Sequence, residues 1–281
     1  MNENNNADLK TIADFGLEWA SFNQSVLPNK EAKQLFDSYF RLLPQQLINE
    51  TSRGFDLGCG SGRWAKFVAQ KVSELYCIDP SETALNVAKN NLKEFNNIVF
   101  VKTSVDNMPM EDNSMDFGYS LGVLHHIPNT QKGINSCVAK LKPGAPFLLY
   151  LYYALENKPK WFRCVWQISN LIRKIISRLP YKIKYVISQL IAILIYYPLA
   201  KTSLLLEKFG YKANNMPLYS YRCRSLYGMR TDALDRFGTR LEHRFTAKQI
   251  KEMMEKAGLE KITFDDSIPY WKAIGYKKPL T

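Results

Sequence analysis

What this sequence lacks narrows its class first. Its five cysteines, Cys59, Cys77, Cys137, Cys164 and Cys223, are scattered and odd in number, with no C-x-x-C pair. That pattern argues against a disulfide framework and against a zinc site. No metal is expected, and a reduced, cytoplasmic environment fits best. The start, Met1 to Asn6, has no basic stretch followed by an apolar run, so no secretory signal is expected. One run without charge, Tyr185 to Ala200, lies between Lys184 and Lys201. It has 16 residues and includes Ser188, Gln189 and Pro198. That is short of the ~20 needed to cross a bilayer, so a spanning helix is not expected. There is no internal repeat, and no low-complexity tract beyond the Asn-rich start.

The composition that remains is that of a folded protein. Of 281 residues, 46% are apolar and 23% charged, enough to bury a sizeable core without staples. The net charge of +12 is not spread evenly. Residues 151–230 hold fourteen Lys/Arg against only Glu156 and Glu207, so this stretch carries the whole excess and the remainder is neutral. The two parts are expected to face different partners.

Short strand-like runs alternate with helical ones from about Arg53 to Tyr153. Strands are expected at Gly54–Leu57, Leu75–Ile78, Ile98–Val101, Met115–Ser120 and Phe147–Tyr152, with helices at Trp64–Val72, Thr83–Phe95 and Lys132–Leu141. Alternation at this spacing means βαβ units and a parallel sheet. Before it, Phe15 to Leu43 reads as helices, and residues up to about Asn6 as a frayed end. After it, residues 155–240 show helical periodicity without strands. Phe245–Gly258 then reads as a helix with Thr246 as N-cap and Gly258 as its stop, followed by strands Leu259–Phe264 and Ile268–Tyr276. Three parts follow: an N-terminal helical cap (1–45), an α/β domain (46–154 and 241–281) and a basic, apolar helical insertion (155–240).

The segment Phe55-Asp56-Leu57-Gly58-Cys59-Gly60-Ser61-Gly62 ends a strand and opens a helix. Glycines there let the backbone approach a ligand and turn where a Cβ would obstruct it, and the helix presents its amide end to the site. The dinucleotide version requires a third glycine where this chain has Arg63, and no G-K-[ST] follows for a phosphate loop. Asp79 ends the second strand, where an acid can accept hydrogen bonds from both ribose hydroxyls; the alternative is an N-cap for the helix beginning near Ser81. Together these features point to an adenosine-containing ligand.

Here the sequence resembles a known family. Asp56 to Gly62 looks like motif I of the class I S-adenosylmethionine-dependent methyltransferases, and Asp79 matches their ribose-binding acid. Asn107 to Asp116 is similar to the family's run into strand four, Leu121-Gly122-Val123-Leu124-His125-His126-Ile127-Pro128 to its motif after that strand, and Leu141-Lys142-Pro143-Gly144 to the turn before strand five. The most similar branch holds the ubiquinone/menaquinone-type and related small-molecule enzymes. The resemblance implies a Rossmann-like, seven-stranded, mostly parallel sheet in the order 3-2-1-4-5-7-6, with helices on both faces and the large insertion after strand five. It implies S-adenosyl-L-methionine held by Asp56, Gly58, Cys59, Gly60, Gly62, Asp79, Pro80 and Leu121. Many relatives carry an Asp where this chain has Ser104, so the adenine contact falls to Asp106, or to Ser104 with the amide of Val105.

The methyl group of such a cofactor is already electrophilic, so holding the acceptor in line is the main task, with a base needed only for an acceptor that must lose a proton early. His125 and His126 are the candidate catalytic residues, His126 first. His243 lies in the charge-dense Asp232 to Arg244 stretch, which reads as a salt-bridged surface helix and turn, or else as an anion-binding wall using Arg230, Arg236, Arg240 or Arg244. Trp19 and Phe22 either close over the cofactor or pack on the core. In the insertion, Trp161, Val165, Ile168, Ile172, Ile175 and Leu179 recur at helical spacing and form one apolar face. It is read as a roof over the site or as a basic surface resting on anionic lipid at the inner membrane face. The expected function is methyl transfer to a small or lipid-linked acceptor. A non-catalytic, membrane-associated scaffold on the same fold is the alternative, and RNA methylation ranks third.

Overall fold

The computed structural model describes residues 6–213 and 215–279. The chain divides into two compact units, one comprising 1–24, 32–154 and 241–281, the other 25–31 and 155–240. The frayed end expected through Asn6 falls on residues 1–5, which lie outside the described residues. Asn6 itself is buried, its side chain donating to the Asn129 carbonyl and accepting from the Asn129 amide.

The first unit is built on seven strands: β1 (Arg53–Leu57), β2 (Glu74–Asp79), β3 (Ile98–Lys102), β4 (Phe117–Leu121), β5 (Pro146–Tyr150), β6 (Leu259–Asp265) and β7 (Lys272–Lys277). They pair in the order β3-β2-β1-β4-β5-β7-β6. β7 runs antiparallel to both of its neighbours, and the other pairings are parallel. This is the Rossmann-like sheet that the motif order implies. The period-2 alternation of strand side chains sorts the core onto two faces. Phe55, Leu57, Phe147 and Leu149 join one core with Ile134, Val138, Ile250 and Met254. Phe117, Tyr119, Leu148 and Tyr150 join the other with Phe36, Trp64, Leu85 and Leu92.

The helices of this unit are α1 (Leu9–Ser21), α2 (Asn29–Tyr39), α3 (Ala65–Val68), α4 (Glu82–Asn91), α5 (Thr130–Lys140) and, later in the chain, α10 (Ala247–Lys256). Their starts follow side-chain caps: Asp8, Ser81, Asn129 and Thr246 each accept from an amide of the first turn. Ser81, not Asp79, therefore caps α4. Thr246 and Gln249 complete a capping box at α10. Several boundaries differ from expectation. The helix expected at 64–72 is one α turn followed by a 3-10 turn, Ala69–Lys71. Met115 makes only an isolated bridge to Leu141, and β4 starts at Phe117. β7 starts at Lys272 rather than Ile268, after Pro269, which has no amide to donate to a ladder.

The second unit is helical: α6 (Lys160–Ile176), α7 (Tyr181–Ile191), α8 (Tyr197–Lys208) and α9 (Leu226–Gly238). A π-helical turn, Ala192–Tyr196, joins α7 to α8, so Tyr181–Lys208 is one helix of 28 residues. Pro198 explains that turn, because its ring cannot accommodate the carbonyl four residues back in regular α geometry. The expectation of a run too short to cross a membrane is thereby corrected. The helix continues through both flanking lysines and is long and apolar enough to span, by length and composition. The core of this unit is small: Ile176, Ala192, Tyr196, Ala200, Met229, Ala233 and Phe237.

Candidate active site

The candidate site lies in the first unit, at the carboxyl ends of β1, β2 and β4. After β1 the chain turns sharply. The amides of Gly58 and Cys59 donate to the Ile78 carbonyl at 2.7 and 3.1 Å, which ties the loop to β2. Gly58 and Gly60 have φ of +76° and +53°, the left-handed region that glycine enters without strain. Close approach adds to the demand. A Cβ at Gly58 would stand 2.3 Å from Val123, and one at Gly60 would stand 2.7 Å from the Trp19 ring.

Two carboxyls flank this loop. Asp79 accepts from the Gly60 amide through one oxygen (3.0 Å) and from the Ser81 amide through the other (2.8 Å). Burial pushes it up to about 6 against those two amides. Asp56 is 1% exposed, and its Oδ2 has no hydrogen-bond partner at full bonding geometry. Burial, with the charge of Asp79 behind it, pushes Asp56 up to about 8, while the neighbouring Tyr119 hydroxyl draws it down. Tyr119 is the register partner of Asp56 on β4. The sequence reading missed it, and only the strand pairing reveals it.

The other cofactor candidates are placed as follows. Cys59 is buried, and the hydrogen bond with the Cys77 thiol, then burial, push it well above the usual thiol range. Pro80 sits between Asp79 and the cap Ser81, and Leu121 is buried at the end of β4. Ser104 precedes a 3-10 turn, Val105–Asn107, that follows β3. Asp106 Oδ2 takes the Lys132 ammonium (2.7 Å) and the Asn6 amide (3.1 Å), whereas Oδ1 is buried without a partner.

Helix α1 lies along this edge. Trp19 stands over the Gly60 loop, with the Arg63 guanidinium 5.5 Å from its ring centre. One turn earlier, Phe15 meets the His126 ring at 4.9 Å. Phe22 is buried at 2% exposure, so of the two aromatics Trp19 is the one at the glycine loop.

All three histidines of the chain gather after β4. His125 and His126 lie in a 3-10 turn, Leu124–His126, and both are buried. Their rings are 4.0 Å apart, and His125 also meets Tyr152 at 3.8 Å. Neither ring nitrogen of His125 has a hydrogen-bond partner. Burial above all, then the charges of His126, Arg244 and His243, hold His125 well below the usual imidazole range, so it stays neutral. His126 Nδ1 lies 2.6 Å from the Leu241 carbonyl. A carbonyl can only accept, so Nδ1 carries a proton in this contact.

His243 is not on a surface helix as expected. α9 ends at Gly238, and the chain beyond it is irregular, with the His243 amide donating to the His125 carbonyl at 2.9 Å. Arg244 pairs with Glu242 (2.8 Å), donates to the Tyr153 carbonyl and lies 5.1 Å from the Tyr152 ring centre. The arginines of the alternative anion-binding wall have partners of their own. Arg230 donates to Gln189, Arg236 stacks on Trp166 and Arg240 donates to the Ser177 carbonyl. Among the described residues no cluster suits a metal ion.

Residues 55–149, which hold the glycine loop, both carboxyls and the histidine turn, match the family model described as a methyltransferase domain. This chain carries a class I S-adenosylmethionine-dependent methyltransferase domain. Over 119 residues it is 27% identical to a ubiquinone biosynthesis O-methyltransferase of Coxiella burnetii, covering 42% of this chain and 49% of that protein. Over 148 residues it is 25% identical to a demethylmenaquinone methyltransferase of Staphylococcus saprophyticus, covering 51% and 63%. The chain thus spans about half the length of the first relative and less than two thirds of the second. Its fold matches, with a TM-score of 0.52 and 13% identity, a methyltransferase solved with the Haloferax volcanii Trm112 methyltransferase activator, over 94% of this chain and 98% of that one.

The cofactor of this methyltransferase domain is S-adenosylmethionine, and the residues present fit it. The molecule carries positive charge on its sulfonium and ammonium and offers hydroxyl donors from its ribose. The site offers two buried carboxyls, Asp56 and Asp79, beside glycine backbone that no Cβ covers. Acceptors and negative charge are what such a ligand needs from a buried site.

Proposed function

We propose that this chain transfers a methyl group from S-adenosylmethionine to a small acceptor of apolar, aromatic or lipid-linked character. The observation that carries the reading is the placement of an aromatic-walled histidine pair after β4, next in the sheet to the carboxyl-flanked glycine loop of β1. Asp79 would hold the ribose hydroxyls, Asp56 the positively charged amino-acid end and Asp106 Oδ1 the adenine amino group. Gly58, Gly60, Gly62 and Leu121 would form the floor.

The cofactor supplies an electrophilic methyl on its sulfonium. The protein's own work is to orient the acceptor and to manage one proton. His126 holds its Nδ1 proton against the Leu241 carbonyl and presents Nε2 as the base for an acceptor hydroxyl or acidic carbon. His125 remains neutral beside it, and with Tyr152 and Phe15 gives a wall of ring faces without formal charge. Such a wall favours a planar, weakly polar acceptor over a charged one. The Coxiella and Staphylococcus relatives are named for ubiquinone biosynthesis and for demethylmenaquinone, which supports an acceptor of quinone type.

Radiolabelled methyl transfer into fractionated extract of the host cell tests this directly. Label is expected in an organic-soluble, low-molecular-weight fraction, and label confined to RNA or protein would overturn the acceptor class.

A further inference from the structure

In the second unit, apolar residues face outward. On α6, Trp161, Val165, Ile168, Leu171, Ile172 and Ile175 are 46–63% exposed. The face of α6 that packs inward carries one core residue, Ile176, with Arg173, 4% exposed, whose guanidinium donates to the Thr239 carbonyl and to Asn170, and Ser177 just past the helix end. This inverts the usual order, in which the apolar stripe of a helix faces its core. The Tyr181–Lys208 helix repeats the inversion. Ile183, Val186, Leu190, Ile193, Leu194 and Tyr197 are 43–68% exposed, while Lys184, Ser188, Ala192, Tyr196, Ala200 and Ser203 are buried.

Charge identifies the occupant. Residues 151–230 carry the chain's whole excess of +12, and Arg163, Lys174, Arg178, Lys182 and Lys208 are exposed on or beside the two helices. Of the two acids, Glu207 is already bonded by Arg222 and Tyr219. A second copy of the chain would bring the same cations against them, and like charges repel. A nucleic acid would satisfy the cations but offer nothing to a field of Ile, Leu and Val. Anionic headgroups above an acyl layer satisfy both.

We infer that α6 and the Tyr181–Lys208 helix form a membrane-docking face that lies in the headgroup region of an anionic bilayer. The long helix lies flat and does not cross. Its inner side is fixed by polar groups, with Lys184 Nζ donating to the Gly238 carbonyl and Gln189 accepting from Arg230. Crossing would carry α9, with Arg230, Asp232, Asp235 and Arg236, into hydrocarbon. The inference rests on the second unit alone, so its failure leaves the methyl-transfer reading untouched.

Flotation of the full chain with phosphatidylcholine vesicles, with and without phosphatidylglycerol, tests it. The wild type is expected to float with the phosphatidylglycerol vesicles and to be released by alkaline carbonate. The variant I168D/L171D/L190D/L194D should lose binding by about tenfold or more. K174Q/R178Q/K182Q should lose only the preference for phosphatidylglycerol. All these positions are exposed, and circular dichroism confirms that each variant is folded. No flotation, equal flotation of all variants or retention after carbonate would overturn the inference. So would a dimer in sedimentation that binds no vesicle, or RNA binding in place of vesicle binding.

Discussion

The two units of this chain use similar proportions of apolar sequence to opposite ends. In the first, alternation along β1, β4 and β5 sends large side chains into two cores on either face of a sheet, and charge of both signs balances outside. In the second, seven buried residues make the core, and the apolar excess is on the outside with the cations. Among the described residues, five exposed large hydrophobics belong to the first unit and eighteen to the second. The first unit spends its hydrophobic residues on holding a reaction site still. The second leaves many of its own exposed.

That contrast can be broken by substitution. The largest expected effects lie in the first unit. Phe147, fully buried in the sheet core, should lose about 3–5 kcal/mol of unfolding free energy as Phe147→Ala, read by urea denaturation. His126→Ala should lower methyl transfer by about 10²–10⁴-fold, the range of a lost general base, while S-adenosylmethionine affinity stays within about twofold in calorimetry. Asp79→Ala should weaken that affinity by about 10–100-fold, as for the loss of hydrogen bonds to a charged group.

A smaller, pH-dependent effect follows from Asp56. Its carboxyl sits up at about 8 in the folded chain, against the ~4 of an unfolded carboxylate. Between those values the folded state binds the extra proton, so stability is greatest at the acid end of that window and falls as pH rises through about 8. Without cofactor, thermal melts should decline across the window in the wild type and remain flatter in Asp56→Asn. A positively charged ligand favours the carboxylate, so cofactor affinity should rise with pH over the same range. The smallest effect belongs to the second unit, where Ile168→Ser, at an exposed position, should change stability by no more than about 0.5 kcal/mol.

The same contrast explains what the residues could say in advance. The sheet was legible because local pattern decides it. Phe55 and Leu57 flank Asp56 with period 2, and Gly58 and Gly60 supply a turn that few other residues allow. Asp79 was legible for the same reason, at the end of the next strand. The place of His243 was not. Its segment is dense in charge and reads as surface, yet it is held by long-range bonds, His243 to His125 and Phe245 to Tyr152, that no local pattern encodes. Tyr119 was hidden likewise, since it meets Asp56 only through strand register. For α6 the periodicity revealed an apolar stripe but not its direction, because an amphipathic helix has the same sequence whether its apolar face meets a core or a bilayer.

The account stands most directly on the glycine loop and its two carboxyls. Isothermal titration of S-adenosylmethionine into the wild-type chain and into Gly60→Arg, with folding of both checked by circular dichroism, addresses it in one measurement. The account predicts one-site binding to the wild type and a loss of about a hundredfold or more in the variant, whose side chain has no room beside Trp19. A folded wild type that binds no S-adenosylmethionine, or a variant that binds it equally well, would contradict it.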